Sequence, residues 1–185
     1  PAPDEVADAF REGPSPELWR HSDAAEAEAG LVNRINFFVS VLGYDPENIA
    51  VLTAFKDDVD RVKAVLAEAG HHTVDVRRNG FDFESSRGLR VSTLHSAKGV
   101  EFPVVMLYLP GLPAPGGLSE EMAAEQGFNL VYVAVTRAMD NLQLFLPAVP
   151  EAAATRTLAE AYERLVELEY GADQAALEER NENVG

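Results

Sequence analysis

Residues 91–102 read Val-Ser-Thr-Leu-His-Ser-Ala-Lys-Gly-Val-Glu-Phe, and residues 131–138 read Val-Tyr-Val-Ala-Val-Thr-Arg-Ala. In the first stretch a hydroxyl (Thr93), an imidazole (His95), an ammonium (Lys98) and a carboxylate (Glu101) follow a strand-type run. Gly99 permits a tight or left-handed backbone among them. Backbone N–H groups in such a turn can form a nest for an anion. The same composition also fits an ordinary strand-to-loop transition with solvated polar groups. The second stretch sets Arg137 into a helical run that is otherwise almost wholly apolar, and a cation there calls for an anion. Two partners fit. One is a phosphate reached by the guanidinium; the other is Asp140 at i+3, with Arg137 opposing the dipole of the helix end.

The elements that must position these residues alternate in type. Ser22 or Asp23 caps a helix running to about Leu42, with Leu31, Ile35, Phe38, Val39 and Leu42 on one face and Gly43 as its stop. Ile49–Thr53 is a strand, followed by a helix over about 57–69 with Val59, Val62, Val65 and Leu66 as its stripe and Gly70 as the C′ residue. Strands are expected at Thr73–Arg77, Leu89–Leu94, Pro103–Leu109 and Leu142–Leu146. The continuous apolar run at 103–109 suits a central parallel strand. Residues 110–117 are loop-like, and a helix is expected from Ser119 to about Met139, broken at Gly127, with Tyr132 in the core. Thr155–Tyr170 reads as an acidic amphipathic helix. The expected fold class is therefore α/β, a mainly parallel sheet flanked by helices on both faces. The expected domains are an acidic, Pro-rich lead-in at 1–24, a main domain at 25–148 and an acidic helical appendage at 149–185.

The chain's 185 residues suffice for one well-cored domain. With no cysteine, disulfides and thiolate zinc sites are excluded, and the 4 histidines lack metal-site spacing, so no metal ligand set is expected. No apolar run reaches the roughly 18–20 residues of a membrane helix. No signal-peptide pattern opens the chain, so a cytoplasmic location without membrane contact is expected. Pro1 in place of an initiator Met leads us to expect a piece of a longer polypeptide. The net charge of −16 argues against a nucleic-acid partner at first sight. Its acids, however, concentrate at the two ends, and Arg77, Arg78, Arg87, Arg90 and Lys98 cluster just before and within the first motif.

Val91–Phe102 and the apolar run after it resemble motif V of superfamily 1 helicases of the UvrD, Rep and PcrA type, whose pattern is T-x-H-x-x-K-G-L-E-F. Val131–Ala138 resembles their motif VI, Y-V-A-x-T-R-A. Both stand in the family's order, and Ile49–Thr53 with its helix resembles the unit preceding motif V. The resemblance spans roughly residues 25–147. It implies a RecA-like C-terminal domain, 2A, of an ATP-dependent DNA helicase. It implies that Arg137 contacts the γ-phosphate as an arginine finger, that Glu101 lies near the ribose with Gly99 as the turn beside it, and that Thr93 and His95 touch phosphates of single-stranded DNA while Lys98 supports that loop. ATP with Mg²⁺ would be the implied ligand, with DNA repair as the family's usual setting.

The departures are equally specific. Val100 replaces a leucine, and Gly127-Phe128-Asn129 stands where an acidic-arginine pair usually precedes motif VI. The few residues of Asn79–Gly88 leave no room for a 2B insertion, as in the compact branch of the superfamily. None of the chain's lysines, Lys56, Lys63 and Lys98, follows a glycine, so there is no Walker A loop, and no Walker B or Asn-Tyr-Arg signature is visible. The resemblance thus implies half of an ATP site. The Mg²⁺ ligands would lie on a missing N-terminal RecA-like domain of the same polypeptide, and this piece alone is expected to be inactive. The competing expectation is a degenerate helicase-like module that acts in protein interaction without ATPase activity.

Overall fold

The computed structural model describes residues 14–76, 87–110 and 120–182. Arg77, Arg78, Ser119 and most of the expected 110–117 loop and 79–88 connection lie outside the described residues. Strands are β1 (Glu17–His21), β2 (Ile49–Thr53), β3 (Thr73–Asp75), β4 (Leu89–Thr93), β5 (Phe102–Tyr108) and β6 (Ala138–Pro147). Helices are α1 (Ala24–Ser40), α2 (Lys56–Glu68), α3 (Glu120–Val135) and α4 (Ala153–Glu182). The strands form a six-stranded sheet in the order β1-β6-β5-β2-β4-β3. Every pairing in it is parallel.

Alternation along the strands divides the core into two layers. Ile49, Val51, Val104, Met106 and Tyr108 face one side, where Leu31, Ile35 and Phe38 of α1 and Val59, Val62 and Leu66 of α2 cover them. Ala50, Leu52, Val105 and Leu107 face the other, under Val131 and Ala134 of α3 and Ala154 and Ala159 of α4. Central strands buried on both faces are expected to be nearly all apolar, and β2, but for Thr53 at its end, and β5 are. Local signals set the helix ends. Asp23 caps α1 by accepting the Glu26 N–H (2.9 Å). After α2, Gly70 takes φ +85°, the left-handed conformation that ends a helix.

Three expectations are corrected. Residues 17–21, read as part of a loose lead-in, form edge strand β1 along β6. A polar cluster fixes it there. Buried Gln143 of β6 accepts hydrogen bonds from Trp19 Nε1 and Arg34 Nε, both at 2.8 Å, and the Arg34 guanidinium pairs with Glu17. That guanidinium also lies 4.6–5.2 Å from the ring centres of Trp19, Phe37 and Phe38, a cation–π cage. Secondly, α3 is not broken at Gly127, which is buried in it. A mid-helix glycine costs about 1 kcal/mol, too little to break a helix of this length. Nor does α3 reach Met139: it ends at Val135, and Ala138 already opens β6. Thirdly, Tyr132 is 71% exposed rather than in the core. Val131 and Ala134 take the buried stripe, and Tyr132 lies about 100° further round the helix.

Candidate functional site at the two sheet edges

The first motif does not gather its polar groups into a single turn. It crosses the sheet. In the register Thr93 lies level with Thr53, and Thr53 with Tyr108, at the carboxyl edge. Phe102 begins β5 at the amino edge. Six residue steps at about 3.3 Å place these edges roughly 20 Å apart along the strands. Residues 94–101 bridge that distance.

At the carboxyl edge the Leu94 N–H donates to the Thr53 carbonyl (2.9 Å), continuing the ladder by one rung. A single helical turn follows. The Thr93 carbonyl accepts the Ser96 and Ala97 N–H groups at 3.0 and 3.1 Å. The Thr93 hydroxyl donates to Ser96 Oγ (3.1 Å) and accepts the Ser96 N–H (3.3 Å). With the residue only 6% exposed, that hydroxyl builds the turn and is not presented to solvent. Leu94 and Ala97 are fully buried in the layer beneath α3 and α4. His95 and Ser96 between them, and Lys98 just after, face outward. Ser96 was not singled out in the sequence, although a Thr-x-x-Ser spacing at a strand end is the signal that finds it. Gly99 closes the turn with φ +85°.

Tyr108 stands at this same edge on the other face, beside the Arg61–Glu28 pair. Burial pushes its phenol up to about 12, so it is a neutral hydrogen-bonding group. Burial also raises the Asp58 carboxyl, with the Phe55 N–H, the uncapped start of α2, as its hydrogen-bond donor.

The amino edge joins the two motifs. Phe102 pairs with Ala138, and the Phe102 N–H donates to the Arg137 carbonyl (2.9 Å). Glu101 and Arg137 are therefore neighbours across two strands, Glu101 exposed and Arg137 half-buried. Arg137 lies in the turn after α3 rather than inside the helix. Its Nε donates to the Val133 carbonyl (3.0 Å) and its Nη2 to Thr136 Oγ1 (3.2 Å). It thus covers a carbonyl that the helix end leaves open, where the dipole favours a cation.

So the structure brings Glu101 and Arg137 together and holds Thr93, His95 and Lys98 apart from them. Among the described residues no group of three or more His, Asp or Glu could hold a metal ion. Nor is any helix among them long and apolar enough to cross a membrane.

Residues 78–147 match the model of the UvrD-like helicase C-terminal domain. The ATP-dependent DNA helicase PcrA of Bacillus subtilis (strain 168) is 33% identical over 141 residues, covering 69% of this chain and 17% of that protein. PcrA of Leuconostoc citreum is 44% identical over 69 residues, covering 34% and 9%. The chain thus spans under a fifth of the length of either relative. Among solved structures, the C-terminal domain of a possible DNA helicase from Lactobacillus plantarum WCFS1 superposes with a TM-score of 0.59 at 17% identity, covering 78% of this chain and 80% of that one. The C-terminal domain of the DEAD-box protein Dbp5 gives 0.53 at 12%, covering 84% and 86%. These two likenesses speak for the fold alone, a RecA-like parallel sheet between helix layers. Held in that sheet, the two motifs lie within residues 78–147, the segment that matches the UvrD-like helicase C-terminal domain.

Proposed function

We propose that this chain is the second motor domain, 2A, of an ATP-dependent superfamily 1 DNA helicase, and that its ATP site is shared with an N-terminal RecA-like domain of the same polypeptide. Residues 25–148 are the motor domain in this reading, with β1 and the first turns of α4 packed onto it. The observation that supports it is the hydrogen bond from the Phe102 N–H to the Arg137 carbonyl, which brings the backbone at Glu101 and at Arg137 to one edge of the sheet.

A nucleotide held there by the opposing domain would present its γ-phosphate to Arg137 and its ribose to Glu101, with Gly99 leaving the approach open. Arg137 stabilises the charge that spreads over the phosphoryl oxygens during transfer, a contribution of about 10³–10⁵ in rate for arginine fingers. Magnesium ligands and the phosphate loop belong to the opposing domain. The turn at the other edge is the single-stranded DNA contact. His95 and Lys98 reach phosphates, and Thr93 acts by holding the turn through Ser96. Alone, the chain should not hydrolyse ATP.

The test is DNA-stimulated ATPase activity of the full-length polypeptide. Arg137→Ala should lower kcat by at least about 10³-fold while leaving single-stranded DNA binding in place. A full-length protein with no ATPase activity at all would instead favour the degenerate module that acts through protein interaction.

A further inference from the structure

We infer that Thr136 is the positioning residue for Arg137, fixing the plane of the guanidinium through its hydroxyl. This rests on the arginine-finger reading above and assigns a second residue to it. Three hydrogen bonds close a small triangle. The Thr136 hydroxyl donates to the Val133 carbonyl (2.9 Å), Arg137 Nε donates to the same carbonyl (3.0 Å), and Arg137 Nη2 donates to Thr136 Oγ1 (3.2 Å).

Because the hydroxyl hydrogen is committed to Val133, Oγ1 offers only lone pairs toward Arg137. The contact therefore has a fixed direction. The backbone beneath it is also held, by the Thr136 N–H on the Tyr132 carbonyl (3.1 Å), the Arg137 N–H on the Ala134 carbonyl (3.0 Å) and the Phe102 N–H on the Arg137 carbonyl (2.9 Å). A guanidinium has five N–H donors in one plane. Two of them orient it within the chain, and three remain for a phosphate. A long side chain at a half-exposed edge otherwise loses rotamer entropy each time it engages a ligand. Anchoring it beforehand lowers that cost in the transition state.

Thr136 is committed to Val133 and Arg137 and acts through the guanidinium, so its effect should fall on the phosphoryl-transfer step rather than on nucleotide binding. The experiment uses the full-length polypeptide with three variants. Thr136→Val keeps the branched shape without the hydroxyl, Thr136→Ser keeps the hydroxyl, and Arg137→Ala serves as the reference. Each is assayed for DNA-stimulated ATPase and for binding of ADP and of ADP with aluminium fluoride, a mimic of the transferring phosphoryl group. For Thr136→Val the expected result is a roughly 3–10-fold fall in kcat with KM for ATP unchanged, a matching loss of ADP–aluminium fluoride affinity and unchanged ADP affinity. Thr136→Ser should stay within about twofold of wild type.

Wild-type kinetics in Thr136→Val, an equal fall in Thr136→Ser, or a parallel loss of ADP affinity would each overturn the inference. If Arg137→Ala itself left ATPase unchanged, the arginine-finger reading would fall instead. The two failures are thus distinguishable.

Discussion

Replacing Gly88 with alanine should destabilise the fold far more than the same change at Gly99, although both glycines have positive φ. Gly88 sits at φ +124°, and a Cβ there would lie 2.5 Å from His72 Nδ1 and 2.7 Å from the His72 carbonyl oxygen. Neither neighbour can withdraw freely. The His72 carbonyl accepts the Leu89 N–H (3.0 Å), the rung that starts the β3–β4 pairing. The His72 ring bonds the Arg87 carbonyl through Nδ1 (2.8 Å). The backbone conformation costs about 1–3 kcal/mol for a residue with a side chain. Losing or stretching one of those hydrogen bonds adds about 0.5–1.5 kcal/mol. The sum is roughly 2–4 kcal/mol, a large share of a domain's ordinary stability. Gly99 is the control: φ is +85°, but nothing stands within 4 Å of its would-be Cβ. Only the left-handed conformation is charged there, about 1–2 kcal/mol. Equilibrium urea unfolding followed by fluorescence of Trp19, the single tryptophan, measures both. Equal losses at the two sites, or less than about 1 kcal/mol at Gly88, would refute the steric reasoning.

Three further outcomes are expected. Burial holds the His21 imidazole below its ordinary value of 6.5, against a smaller upward pull from Glu26 and Asp23. The unfolded chain therefore binds that proton first, so stability present above about pH 6.5 should decline as pH falls through the lower folded value, and His21→Gln should flatten the decline in unfolding curves. Gln143→Leu removes the acceptor shared by Trp19 and Arg34. It should cost about 2–3 kcal/mol in denaturation midpoints and shift Trp19 emission, whereas a loss below about 0.5 kcal/mol would mean that β1 is held by its ladder alone. In the full-length polypeptide, Lys98→Ala should weaken single-stranded DNA uniformly across sequences and reduce the salt slope of binding by about 0.7, and an unchanged slope would remove Lys98 from the phosphate contacts.

Much of the sheet was legible because parallel central strands must be apolar on both faces, and β2 and β5 announce themselves in that way. What stayed hidden depends on partners remote in sequence. Glu17–His21 carries no strand pattern of its own; it is a strand because Gln143 and Arg34 hold it against β6. The end of α3 was misplaced because Thr136 and Arg137 continue the sequence pattern of the helix, while the pairing of Ala138 with Phe102 claims the next residue for β6. Tyr132 was misplaced for a related reason. Leu130–Val135 is apolar on every side, so periodicity offers no buried stripe, and only the sheet beneath selects Val131 and Ala134. At the candidate site, the sequence did not show how the expected residues are distributed: nine positions separate Thr93 from Phe102 along the chain, whereas the register puts them at opposite edges.

That distribution bears on how the proposed motor would couple its two ligands. Residues 94–101 are tied at one end by the Leu94 N–H to Thr53 and at the other by the Phe102 N–H to Arg137. Between the ties, Leu94 and Ala97 are buried and Val100 packs against the same layer. A segment anchored in this way cannot slide over the sheet unless apolar contacts of about 1 kcal/mol or more per side chain open. Movement of Glu101 and Arg137 toward a nucleotide must then carry the Thr93–Lys98 turn with it as one body. Closure of the cleft would displace the DNA contact by rotation of the whole domain, with no flexible loop relaying the signal. Such a transmission needs a stiff crossing, and Leu94 and Ala97, buried among the outward-facing His95, Ser96 and Lys98, supply one.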